Sequence, residues 1–393
     1  MEGKDSMCAL KKPLLDLPIK VILTEEGASH FISKKKKLLR FRLADNLEEY
    51  GIKFNSFSPI SLQQMILVDY ISKIEISMPE FVSSRQEIMD LSKLVVFSVL
   101  YKQFDRQILS SMLETDCIRR HNRANPSQLL DGKTKIPDSV LRSRVNGQEQ
   151  TIAAAQKKIL EPVCATVMNN KDLTIEEKNI HILMAEKFLN LLGLFNWYII
   201  VTFFKKEGFD EILSSIRSVL NEYMEKTKIA EYTSLMLMEL ALSSENANMK
   251  KEAKIMYRGM EDNEMLIYDP EVRQKIIAEL TRKHELVFIS WKLGGGSTSI
   301  GKQGRLQITL YNKDDEFQEV KENIETKKSA NLDKKSLIDF YRELPEGQEG
   351  TDLGLYYLSY LDEACKKVNV KFESLVNQYS SSDLTVINLI LNF

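Results

Sequence analysis

Near the C-terminus the hydrophobic repeat switches from helical to alternating, and this switch constrains the fold more than any other feature of the chain. Leu358, Leu361, Cys365 and Val368 recur at helical spacing, with Asp362, Glu363, Lys366 and Lys367 on the other side. From Val368 the period becomes two: Val368, Val370, Phe372 and Ser374 alternate with Asn369, Lys371 and Glu373, as in a half-buried strand. Ser380-Ser381-Ser382-Asp383 forms a turn, and Leu384–Phe393 reads as a second strand. Leu286–Leu293 and Arg305–Tyr311 alternate in the same way further upstream. A helix with one apolar stripe and strands with one apolar face bury each other, so this part of the chain is a helix-on-sheet layer.

The rest reads as mostly helical. Lys35–Tyr50, Ser61–Glu75 and Ser84–Leu113 carry apolar positions at helical spacing, and Pro18–Thr24 is a short strand. Ile118–Lys135 is rich in turn residues (Asn122, Asn125-Pro126-Ser127, Asp131-Gly132) and reads as a linker. Helical segments follow at Ser139–Glu161, Thr174–Phe204, Glu211–Asn221, Lys226–Leu242, Lys251–Met260 and Pro270–Lys283. The expected organisation is α+β: a mostly helical N-terminal domain (1–135), a helical hairpin suited to dimerisation (136–208), and a C-terminal α/β sandwich with a mixed sheet (209–393).

Composition narrows the functional classes. Apolar residues make up 43% and charged residues 28% of the 393, ordinary values for a soluble globular protein. A net charge of −2 gives no support to nucleic-acid binding. Cys8, Cys117, Cys164 and Cys365 lack metal-ligand spacing and suit a reducing cytosol. The first residues, Met1-Glu2-Gly3-Lys4-Asp5, carry no signal-peptide pattern. Phe188–Phe204 is almost wholly apolar, yet Asn190, Gly193 and Asn196 interrupt it, so it reads as a buried helix at a domain or subunit junction. These features imply a cytoplasmic protein, not attached to membrane, with a homodimer as a reasonable assembly. The basic run Lys34–Lys37 reads as a solvated helix start.

The chemistry centres on Gly350-Thr351-Asp352-Leu353-Gly354-Leu355, ahead of the helix Tyr356–Lys367. Two glycines four apart let the backbone approach a ligand, and a helix opening there aims free N–H groups and its positive dipole end at an anion such as phosphate. In this glycine box, helix, strand, turn and strand, the sequence resembles the last third of the ATP-binding domain of the GHKL superfamily (sensor histidine kinases, anti-sigma-factor serine kinases, gyrase-type ATPases). Leu353-Gly354-Leu355 fits that family's box; Thr351 and Asp352 depart from it. The resemblance implies phosphate contact at Gly350, Leu353 and Gly354, and contact with the adenine amino group by Asn312 or Asp314. The stretch Tyr311–Asp315 lacks the glycines of the family's adenine box. The resemblance also implies Mg²⁺ held by Glu239 or Asn246. Here the departure is Ser243, which stands where the family pattern has Asn. A hard cation of this kind wants oxygen ligands.

Two further motifs are weaker. Gly296 to Gly301-Lys302 has P-loop spacing, but Gln303 replaces Ser or Thr and a strand follows, so the segment reads as a hairpin connection. His181 is the phosphoacceptor candidate in the helical hairpin, with Glu177 one turn before it to orient the ring. The resemblance thus implies a signalling protein with a protein partner and a degenerate histidine-kinase-like domain. That domain is either a nucleotide-binding regulator or kinase, or a catalytically inactive interaction scaffold.

Overall fold

The computed structural model describes residues 14–44, 47–132, 136–171, 173–294, 304–313, 353–379 and 384–393. Gly350, Thr351, Asp352 and Asp314 lie outside these residues, as do the glycine run 295–303 and the Ser380–Asp383 turn.

The strands are β1 (Ile19–Leu23), β2 (Leu39–Arg42), β3 (Glu48–Phe54), β4 (Ile71–Met78), β5 (Val287–Gly294), β6 (Arg305–Lys313), β7 (Lys371–Tyr379) and β8 (Leu384–Asn392). They form one eight-stranded sheet in the order β2-β3-β1-β4-β5-β6-β8-β7. Every neighbouring pair is antiparallel, which corrects the expected mixed sheet. The local reason is that β2–β3, β5–β6 and β7–β8 are each joined without a crossover, and such neighbours run antiparallel.

Register separates the two faces of the sheet. Ile19, Ile76, Ile289, Leu310 and Ile387 stand in one row, and Val21, Ile74, Trp291, Ile308 and Leu389 in the next. All ten are buried. On the opposite face the row is Lys20, Glu75, Ser290, Thr309 and Asn388. There Lys20 pairs with Glu75 at 2.9 Å, and Asn388 Oδ1 accepts from Thr309 Oγ1 at 2.8 Å.

Two segments expected to be helical are partly strand. Lys35–Tyr50 contains β2 and the start of β3, where Leu39 and Phe41 alternate with Arg40 and Arg42, and Arg40 pairs with Glu48 across the hairpin. Within Ser61–Glu75, helix α2 (Pro59–Leu67) stops before Asp69, whose φ of 61° is left-handed, and β4 follows. Helix α1 (Glu25–Ser33) precedes them. Pro18–Thr24 is strand β1, as the sequence predicts.

Most of the remaining described chain is helical. The helices are α3 (Arg85–Leu113), α4 (Asp116–Ala124), α5 (Asp138–Val145), α6 (Glu149–Asn169), α7 (Ile175–Asn190), α8 (Leu194–Phe203), α9 (Phe209–Met256), α10 (Pro270–Lys283) and α11 (Leu353–Lys367). Part of the supposed linker is therefore the helix α4. Thr174–Phe204 is two helices, because Gly193 N-caps α8 and donates its N–H to Asp105 Oδ1 at 2.5 Å. Conversely, the segments from Glu211 onward fuse into α9, 48 residues and about 72 Å long. No glycine or proline interrupts the sequence between Gly208 and Gly259. No helix among the described residues is long and apolar enough to cross a membrane.

The chain divides into two compact units. Unit 1 takes Met1–Val96 and Ile229–Phe393, so it draws on both the first and the last of the segments marked out from sequence; unit 2 takes Phe97–Lys228. The core of unit 2 includes an aromatic cluster. Phe188 lies 4.9 Å from both Tyr101 and Phe104 and 5.8 Å from Tyr223, between ring centroids.

Candidate functional site

In unit 1 the site is built along the second half of α9, where it meets β6. Ile308, Leu310 and Asn312 share one face of β6 by strand alternation. The amide Nδ2 of Asn312 donates to the Ser244 carbonyl of α9 at 3.5 Å, which puts α9 on the apolar face of the sheet. Asn312 is only 3% exposed, and among the described residues its Oδ1 has no hydrogen-bond partner. Trp291 Nε1, on the same face of β5, is also buried without a partner. An unmet buried acceptor costs about 1–3 kcal/mol; among the described residues Asn196 Oδ1 in unit 2 is another.

The acidic side chains of α9 are engaged differently. Glu239, 7% exposed, pairs with Arg85 of α3 at 3.1 Å. Glu245, fully buried, accepts from the Phe81 N–H at 2.5 Å and from the Arg273 guanidinium of α10. Glu252 receives Lys283 of α10 at 2.8 and 2.7 Å. Burial raises the carboxyl pKa of both Glu239 and Glu245; Arg85 opposes it at the first, and the Phe81 N–H and Arg273 oppose it at the second. Glu239 is therefore a tie between helices, and as a magnesium ligand it does not fit: it is buried and already bonded to Arg85. Asn246 is half-buried on α9, two turns further on. Among the described residues no three His, Cys, Asp or Glu side chains come together as a metal site.

Helix α11 opens at Leu353, so Gly354 lies in its first turn, where amide N–H groups have no partner within the helix. Leu358, Leu361 and Cys365 are buried, as their spacing predicts, and the rings of Tyr360 and Tyr232 stack at 6.2 Å, joining α11 to α9. Burial pushes the Cys365 thiol up to about 12, an unreactive thiol.

In unit 2, His181 Nδ1 donates to the backbone carbonyl of Glu177 at 2.7 Å. The Glu177 carboxylate is not the orienting group, because it caps α7: it accepts from the Thr174 N–H and hydroxyl. Those bonds hold its pKa below the usual range.

A concave feature that sequence reasoning missed lies in unit 1, between α1 and the residues that lead into β4. An open groove of about 810 Å³ is bounded by Glu25, Glu26, His30, Asp69 and Tyr70. Its walls touch at Gly27, where a Cβ would come within 2.2 Å of the Tyr70 carbonyl oxygen. The only local sequence signal is Thr24 followed by Glu25-Glu26, a helix entry. None of the residues predicted from sequence lines this groove.

This architecture defines the chain as an α+β protein with an antiparallel sheet. Residues 10–393 match the Family of unknown function (DUF8084), and the chain belongs to that family. A protein of Treponema pallidum (strain Nichols), described as "Uncharacterized protein", is 38% identical over 384 residues, covering 98% of this chain and 99% of that relative. No solved structure matches the chain significantly.

Proposed function

We propose that the α9–β8 portion of unit 1 binds an adenine nucleotide, and that the chain is a cytoplasmic signalling protein with a degenerate GHKL-type domain. The observation carrying this reading is Asn312. Its Oδ1 is a buried acceptor without a donor, at the position where the resemblance implies an acceptor for the adenine amino group. With Nδ2 facing the Ser244 carbonyl at 3.5 Å, Oδ1 is the atom left to accept. The order of elements after α10 supports the same reading: a hairpin, the helix α11 with Gly354 in its first turn, and a second hairpin. Gly354 lies in the first turn of α11, and a helix N-terminus favours an anion. A bound nucleotide would supply a phosphate anion and, in a kinase, a transferable phosphoryl group.

A second reading is an interaction scaffold that binds no nucleotide, and one observation favours it: Glu239 is spent on Arg85. Thermal unfolding separates the two. A ligand that binds only the folded state raises the melting temperature by mass action. ATP at millimolar concentration is expected to raise it in the wild-type chain, and Gly354→Asp, which adds a carboxylate at the helix mouth, is expected to abolish the rise. An unchanged melting temperature in the wild type leaves the scaffold.

A further inference from the structure

We infer that nucleotide binding by unit 1 does not use a magnesium ion. This rests on the nucleotide reading above and goes beyond it, because the resemblance implies the opposite. The argument is the state of the buried acids on α9. Each of its three buried carboxylates meets a basic side chain from a neighbouring helix: Glu239 meets Arg85, Glu245 meets Arg273, and Glu252 meets Lys283.

The Glu239 pair is fixed in place by a second tie. Lys93 bonds Glu231 at 2.5 Å, eight residues from Arg85 on α3 and eight from Glu239 on α9. Two ties at equal spacing, in opposite chain directions, set the antiparallel register of the two helices within unit 1. In this register the Arg85 guanidinium reaches Glu239 at 3.1 Å. Magnesium demands near-octahedral oxygen coordination at about 2.0–2.1 Å and gives up water reluctantly. A carboxylate that is 7% exposed and already bonded to Arg85 is a poor donor for such an ion. Ser243, standing where the family pattern has an amide, offers a weaker donor one turn on. Asn246 contributes one neutral oxygen. The helix that would carry the metal instead carries the ion pairs that hold α3 and α10 against it.

The test is calorimetric titration of ATP into the full chain, once in excess EDTA and once in millimolar MgCl₂, for wild type and Glu239→Gln. Gln keeps the shape and an acceptor for Arg85, so the variant retains the helix contact. The expected result is one affinity, equal within about threefold, in both buffers and both proteins. Magnesium tightening the wild type by about tenfold or more overturns the inference while leaving the nucleotide reading intact. Loss of binding in a folded Glu239→Gln, judged by its circular dichroism, also overturns it, since Glu239 would then serve the ligand. Absence of binding in either buffer removes the nucleotide reading and this inference with it. Direct titration of MgCl₂ alone gives a readout independent of nucleotide, and saturable heat abolished by Glu239→Gln would contradict the inference.

Discussion

At Glu239 two influences oppose each other. Burial raises the carboxyl pKa and the Arg85 guanidinium lowers it; burial prevails, because about half of the Arg85 side chain is in water and its charge is screened. A carboxyl whose folded-state pKa lies above its unfolded value gives its full stability below the unfolded pKa, about 4.3, and loses it as pH rises through the folded pKa. Glu239→Gln does not titrate, so it should gain on the wild type as pH rises above about 4. Urea unfolding at several pH values checks this, and a difference that is flat or falls with pH would contradict it. Gly27→Ala meets the Tyr70 backbone at 2.2 Å and should destabilise by about 1–3 kcal/mol, seen as a lower urea midpoint. At this scale the sequence was partly legible. Asn312 was picked out through the resemblance, which implies an adenine contact just after the Arg305–Tyr311 alternation, but its surroundings depend on Ser244, 68 residues away, which no local pattern reports. Glu239 was likewise noticed, whereas Arg85, its partner from another helix, could not be.

Among the elements, α6 and α9 are coupled through a missing donor. Pro162 inside α6 has no N–H for the Lys158 carbonyl, and Arg217 of α9 supplies one, with Nη2 at 2.8 Å. Arg217→Leu should therefore cost roughly 1 kcal/mol or more in unit 2. The cost should shrink in Pro162→Ala, where the helix can satisfy Lys158 itself. A double-mutant cycle by chemical unfolding reads this coupling, and strict additivity would refute it. Helix α7 starts with a capping box, Thr174 with Glu177, so Thr174→Ala should cost about 1 kcal/mol of stability. Helices bounded by such signals were readable: Pro270–Lys283 is α10 to the residue, with Asp269 capping it at 2.9 and 3.0 Å. The continuity of α9 was not, because polar stretches such as Asn221–Lys228 look like a break. They remain helical since nothing there forbids it and both flanks are packed.

The whole sheet of unit 1 is assembled from strands separated by some 200 residues of helix. The β4–β5 pairing joins Ile74 to Trp291 and Ile76 to Ile289 at its centre. Alternation in a sequence identifies a strand but not its neighbour, so β5 to β8 were legible and their union with β1 to β4 was not. β2 and β3 were missed outright, because Lys34–Lys37 and the scattered apolar residues after them also fit a helix. It follows that residues 209–393 alone should not fold: β5 would lose β4, and its apolar edge would be bare. A cooperative melt for that fragment would contradict this. The central claim, that Asn312 reads an adenine amino group, is tested most directly by comparing ATP with inosine triphosphate. Inosine carries a carbonyl where adenine carries that amine. The account predicts that the wild type prefers ATP by about tenfold or more and that Asn312→Leu loses the preference. Equal binding of both nucleotides to the wild type would contradict it.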